Sequence, residues 1–144
     1  MPIINQAGLK LIQSFEGLRL KTYGDGTGVL SIGFGHTGPD VEAGETITQA
    51  RAVALLYGDL RTAENAVQKL VEIPLSPNQF SALVSFVFNV GAGAFEGSTL
   101  RALLNQGNLA VAAEQFVRWD DPGTPEEAGL LRRRIAERLL FETP

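Results

Sequence analysis

The run Glu16-Gly-Leu-Arg-Leu-Lys-Thr-Tyr-Gly-Asp25-Gly-Thr-Gly-Val-Leu-Ser31-Ile-Gly-Phe-Gly-His36 decides how this chain is to be read. It sets two carboxyl side chains and a hydroxyl around a short glycine-rich loop. The residues before it, from Asn5 to Phe15, have the pattern of an amphipathic helix. Asn5 is a fitting N-cap, Leu9, Ile12 and Phe15 recur on one face, and Gly17 is a natural stop. Glu16 then closes the helix. The negative end of the helix dipole and the apolar flank from Phe15 both act against its ionised form, the direction that suits a proton donor. Asp25 lies in Gly24-Asp25-Gly26-Thr27-Gly28, a polar turn in which a carboxylate is expected to stay solvated and ionised. The stretches from Leu20 to Tyr23 and from Val29 to Phe34 have strand composition, and the glycines between them supply turn conformations. A hairpin or small sheet would carry Asp25 and Ser31 back over the end of the helix.

Two carboxyl groups in unlike surroundings are what cleavage of a glycosidic bond requires: one gives a proton to the leaving oxygen, the other supports attack at the sugar carbon. The plainer reading is that Asp25 is a turn residue, as in most Asp-Gly pairs, and Glu16 a solvated helix end. Spacing by itself leaves both open.

Further motifs narrow the choice. Glu16-Gly-Leu-Arg-Leu20, Asp25 and Ser31-Ile-Gly-Phe-Gly-His-Thr37 are followed by Ser76-Pro-Asn-Gln-Phe-Ser-Ala-Leu-Val-Ser-Phe-Val-Phe-Asn89-Val-Gly, Phe95-Glu-Gly-Ser-Thr-Leu100, Phe116-Val-Arg-Trp119 and Gly129-Leu-Leu-Arg-Arg-Arg-Ile-Ala-Glu137. In this order they resemble the phage-type lysozymes, the endolysins of glycoside hydrolase family 24, over nearly the whole chain. The signature of that family is Glu, eight residues, Asp or Cys, five residues and Thr; Glu16 and Asp25 match it, and Ser31 stands where the family usually has Thr.

The resemblance implies an α+β, predominantly helical fold of two lobes. A small lobe with the β-hairpin spans about 17–47, a linking helix about 49–71, and a helical lobe about 72–144 together with the N-terminal helix. It implies a muramidase that cuts the β-1,4 bond between N-acetylmuramic acid and N-acetylglucosamine, with inversion. Glu16 would be the general acid, Asp25 the group supporting attack by water, and Ser31 a hydroxyl that orients the water. Serine keeps the hydroxyl but loses the methyl that restricts threonine's rotamer, so water placement is expected to be looser. Asn89, Arg133, Phe34 and Gly35 are expected to bind the glycan, Asn89 reading equally well as a buried polar residue that fixes the chain turn. His36, following Gly-Phe-Gly, is expected to support the acid as a structural hydrogen-bonding residue. A non-catalytic wall-binding domain and a lytic transglycosylase using Glu16 alone are the competing activities. The full Asp25 at the family spacing argues against the second.

Beyond the hairpin the pattern is helical. Thr48 can cap a helix from Gln49 to Val71, with Gly58 as a possible kink, and Ser76-Pro77-Asn-Gln79 opens a strongly apolar helix that ends near Gly91. Three more helices are expected from Ser98 or Thr99 to Gln106, from Leu109 to Trp119, and from Pro125 to Phe141. Trp119, the single tryptophan, reads as core more than as a sugar platform. Arg132, Arg133, Arg134 and Arg138 cannot share one face of a helix; either one or two hold acidic groups while others pair with Glu127, Glu137 or Glu142, or the cluster is simply solvated and favoured by the helix dipole.

Composition excludes several classes. A length of 144 residues, 44% of them hydrophobic, suits one compact domain or two small lobes. The chain has no cysteine and one histidine, too few for a usual zinc site, and its glycines form no nucleotide fingerprint, so no metal and no cofactor are expected. The net charge of −4 disfavours nucleic acid and gives no long-range attraction to a polyanionic wall. Asn5, Gln6, Lys10, Gln13 and Glu16 precede any apolar run long enough for a signal peptide or a membrane span, which points to synthesis in the host bacterial cytoplasm without stable membrane insertion. A monomer is expected. The resemblance then implies action on the cell wall in the periplasm, with a holin needed for delivery.

Overall fold

The computed structural model describes residues 2–24 and 26–144; Asp25 lies outside them. The elements follow in the order α1 (Gln6–Glu16), β1 (Arg19–Gly24), β2 (Leu30–Gly33), β3 (His36–Thr37), α2 (Gln49–Leu70), α3 (Pro77–Val90), α4 (Ala92–Glu96), α5 (Thr99–Asn105), α6 (Leu109–Gln115), a 3-10 turn at Phe116–Arg118, and α7 (Glu127–Glu142). The fold is α+β and mostly helical, with a small antiparallel sheet, as the sequence predicts. Two compact units divide the chain, Ile12–Arg61 and Met1–Leu11 with Thr62–Pro144, and the boundaries fall inside α1 and α2. No helix of the described residues is long and apolar enough to cross a membrane.

The unit Ile12–Arg61 is built on the sheet, in the order β1-β2-β3. Pairing of Tyr23 with Ser31 and of Ser31 with Thr37 sets these three on one sheet face, while Ile32, opposite His36, points the other way and is buried. The outer edge of β1 is closed by the chain that follows the sheet: Thr22 donates its N–H to the Glu45 carbonyl at 2.9 Å, and Ile47 donates to that of Leu20 at 2.8 Å. Thr48 caps α2 as expected, its Oγ1 accepting the Arg51 N–H at 3.1 Å. α2 runs through Gly58 without a break. Leu56 and Leu60 on either side are 1% and 0% exposed. Burying two leucines outweighs the roughly 1 kcal/mol that a helical glycine costs.

The other unit is organised around α3. Ser76 and Gln79 form a full capping box: Ser76 Oγ accepts the Gln79 N–H at 3.1 Å, and Gln79 Oε1 accepts the Ser76 N–H at 2.8 Å. Every residue from Phe80 to Val87 is buried, which marks α3 as the central helix. Phe86 meets Phe95, Phe116 and Trp119 edge-on, at centroid distances of 6.3, 5.5 and 5.5 Å. α1 reaches α3 through Gly8, where an added Cβ would lie 2.7 Å from the Cβ of Ser81. The close approach lets Ser81 Oγ accept the Asn5 N–H at 2.9 Å while Asn5 Oδ1 caps Gly8 at the same distance.

Boundaries differ from expectation where tertiary bonds intervene. The helix from Leu109 tightens at Phe116 and stops before Trp119, whose carbonyl is drawn to Arg134 Nε at 2.9 Å. α7 begins at Glu127, not at Pro125. α4, which the pattern does not announce, is five residues rich in glycine and alanine, with its Phe95 buried against Phe86.

Candidate active site

Glu16 is the last residue of α1. Gly17, with φ +74°, turns the chain out of the helix while its N–H still reaches the Gln13 carbonyl at 3.1 Å. The side chain of Glu16 is half-buried, and Phe15 is 37% exposed, so the apolar flank expected beside the carboxyl is an open one. The carboxyl meets the Gly33-Phe34-Gly35 loop. Gly35 has φ +77°, and a Cβ there would stand 3.3 Å from Glu16 Oε1. Glycine at 35 satisfies the left-handed backbone and leaves room for the carboxyl.

The next residue fixes that loop. His36 Nδ1 lies 2.9 Å from both carboxylate oxygens of Asp59 on α2, and Nε2 lies 2.9 Å from Asp40 Oδ2. With a carboxylate on each ring nitrogen, the imidazole is best satisfied as the doubly protonated cation. Burial pushes its pKa down. The hydrogen bonds and charges of Asp59 and Asp40 overcome that and hold it above the ordinary 6.5. The bond from His36, first of several causes, holds Asp40 below its usual 3.8. Both Asp residues are absent from the sequence reading; the Asp40 spacing of four from His36 is its one local hint, and Asp59 comes from a distant helix.

Ser31 is half-buried on β2, on the sheet face it shares with Tyr23 and Thr37. Asp25 is outside the described residues. Phe34, expected to touch glycan, is instead 6% exposed and belongs to the core. An apolar ring between two positive-φ glycines is free to turn inward.

The remaining candidates lie in the other unit. Arg133, also expected to bind glycan, is 4% exposed: Nη2 donates to the Ser85 carbonyl at 3.2 Å and Nε to Glu137 Oε2 at 3.2 Å. It is a packed residue, because Glu137 is fully buried and needs cations around it. Arg134 donates to Glu137 Oε1, to Asn89 Oδ1 and, through Nε, to the Trp119 carbonyl. Asn89 is exposed at the end of α3, where it borders a cavity of about 420 Å³ with Val90, Trp119, Asp121, Leu130 and Arg134. Trp119 is half-buried, so its ring serves both the core and the cavity wall. Among the described residues, no group of three or more His, Cys, Asp or Glu side chains is arranged to hold a metal ion.

The phage lysozyme family model matches residues 13–137. The endolysin of Bacillus phage B103 is 44% identical over 142 residues, covering 97% of this chain and 54% of its own; the chain thus spans about half the length of that relative. The endolysin of Salmonella phage P22 is 42% identical and is matched over 96% of this chain and 97% of its own. The solved muramidase domain of SpmX from Asticaccaulis excentricus superposes with a TM-score of 0.91 at 41% identity, covering the whole of both chains. A match across 13–137 that takes in Glu16, Gly35, His36, Asn89 and the buried Arg133-Arg134-Glu137 cluster means that the chain belongs to the phage lysozyme family.

Proposed function

We propose that this chain hydrolyses peptidoglycan, cleaving the β-1,4 bond between N-acetylmuramic acid and N-acetylglucosamine, with Glu16 as general acid and Asp25 as general base. The observation that carries the reading is the seat of Glu16: a carboxyl ending a helix, half-buried, against a glycine that leaves space beside it. In the reaction the Glu16 carboxylic acid gives its proton to the glycosidic oxygen as the bond from that oxygen to the anomeric carbon breaks. A water attacks the carbon from the opposite face and loses a proton to the Asp25 carboxylate. The product is a hemiacetal of inverted configuration and a free hydroxyl. Such an arrangement needs the two carboxyls roughly 6.5 to 9.5 Å apart, with the water between them. Ser31, on the half-exposed face of β2, supplies a hydroxyl to orient that water. His36, locked by Asp59 and Asp40, holds the Gly33–Gly35 loop against the acid.

Asn89, at the cavity mouth of the other unit, is proposed as a contact to the polymer. Bacterial peptidoglycan is the partner and the cell wall the place of action, with a holin for delivery and the chain acting as a monomer. Digestion of purified peptidoglycan followed by mass spectrometry tests the reading. Reducing ends are expected from the wild type and none from Glu16→Gln of unchanged circular dichroism. Asp25→Asn is expected to lose nearly all turnover and Ser31→Ala less. Anhydro ends would make the chain a transglycosylase, and wall binding without new ends a binding domain.

A further inference from the structure

We propose that Arg134, held in turn by Glu137, is a positioning residue that locks the Asn89 amide with its NH2 group turned outward as a hydrogen-bond donor to the substrate. The inference rests on the hydrolase reading above and deepens its Asn89 contact. A guanidinium carries five donors and no acceptor, so only the oxygen of an amide can face it. The guanidinium of Arg134 cannot turn away to suit Asn89. Its side chain is 1% exposed and lies over the Phe86 ring at 5.0 Å, with Nε bound to the Trp119 carbonyl and Nη1 to Glu137. Glu137 is itself immobile, accepting from Ser85 Oγ at 2.6 Å and from Arg133. An amide on an exposed residue ordinarily turns over freely and offers either edge. Here one edge is claimed by a fixed cation, and a flip would set N–H against N–H.

The free edge borders the cavity of about 420 Å³ that Trp119, Val90 and Leu130 line with apolar surface. A donor aimed there selects an acceptor, and Asp121 and Arg134 on the same rim bring one charge of each sign, so the rim gives no net pull on an anion. The matching group is a neutral carbonyl of the polymer lying beside Val90, Trp119 and Leu130. Asp121 is held at φ +48°, with its carbonyl accepting the Thr124 N–H and hydroxyl, so that rim is fixed as well.

The test uses the full chain and soluble peptidoglycan fragments. Asn89→Asp keeps an oxygen for Arg134 and removes the donor; KM should rise about tenfold with kcat unchanged, the size of one lost hydrogen bond. Asn89→Ala should do the same. Arg134→Lys should raise KM by a similar factor alone and add nothing in the Asn89→Ala background, the sign that it acts through Asn89. A wild-type KM in Asn89→Asp, or additive losses in the double variant, would overturn the proposal. Should Arg134→Lys fail to fold, the wild-type protein still decides. The two Asn89 side-chain N–H signals should shift on addition of fragments, and signals unmoved at saturation would end the idea. Turnover abolished by Glu16→Gln together with a normal KM in Asn89→Asp leaves the hydrolase reading standing and removes this one. Turnover surviving Glu16→Gln removes the reading on which both rest.

Discussion

Two clusters of charge in this protein use the same chemistry in opposite surroundings. In the helical unit, Arg133, Arg134 and Glu137 are 4%, 1% and 0% exposed and share their bonds with Ser85, Asn89 and the Trp119 carbonyl. In the sheet-bearing unit, His36 is nearly covered but its partners Asp59 and Asp40 stand 29% and 56% exposed. The first cluster has no water to fall back on. Glu137 is the shared partner of both arginines, so removing it strands two buried cations at once. The second is rimmed by solvent and includes the one group that titrates near neutrality. Burial thus makes charge a fixed part of the packing, and partial exposure makes it adjustable.

Breaking the buried cluster should give the largest effect. Glu137→Ala leaves two guanidinium groups without their shared carboxylate, and chemical denaturation should show a loss of about 3–5 kcal/mol. A loss under about 1 kcal/mol, the level of an exposed pair, would mean that water reaches the cluster and that the contrast is false.

Gly35→Ala carries the comparison to the loop that His36 secures. A left-handed backbone costs a non-glycine residue about 1–2 kcal/mol. The new Cβ would also press on Glu16 Oε1 at 3.3 Å. Turnover should fall more than stability alone explains, measured as kcat at a temperature where both proteins are fully folded. Equal kcat would show that the loop does not govern the carboxyl.

The solvent-rimmed cluster should respond to pH. An unfolded chain releases the His36 proton near 6.5, whereas the folded chain holds it to higher pH. Above 6.5 the folded state therefore binds more protons, and stability falls as pH rises through the raised value. For Asp40 the sign is reversed. Its contribution is present above 3.8 and is lost as pH falls through the lowered value. The stability gap between wild type and His36→Gln should be widest from about pH 4 to 6.5 and shrink toward pH 9 in urea titrations at fixed salt. A gap constant with pH would assign His36 to packing alone.

The smallest effect is expected at Arg138 and Glu142, a pair on α7 at 3.3 Å whose side chains are 35% and 44% exposed. Arg138→Ala should change stability by no more than about 0.5 kcal/mol, since an open i,i+4 pair gains little over water. A loss comparable with that of Glu137→Ala would erase the distinction between covered and open charge.

What was legible in the sequence was local. Asn5, Thr48, Ser76 with Gln79, and Ser98 announce the starts of α1, α2, α3 and α5, because a cap bonds a backbone N–H two or three residues away. Gly17 announces the end of α1, and strand composition in Leu20 to Tyr23 and Val29 to Phe34, with glycines between, announces β1 and β2. Glu16 was legible as the end of a helix, and the ordered motifs were enough to recognise the family.

Long-range partners were not legible, because no spacing rule reaches across tens of residues. His36 as drawn from the motif is a lone histidine; only the folding of α2 sets Asp59 beside it, 23 residues away. The same limit explains why Arg133 and Phe34 read as glycan contacts. Exposure is a property of the folded surface, and both residues turned inward.

The sequence by itself determined which segments would coil, turn or extend, since caps, glycines and periodicity act on neighbouring backbone. Tertiary structure alone decided which charges were to be covered. It placed Ser85, Glu137 and the two arginines in one dry cluster and left His36 and its carboxylates at the rim of water, and desolvation depends on everything that packs around a group.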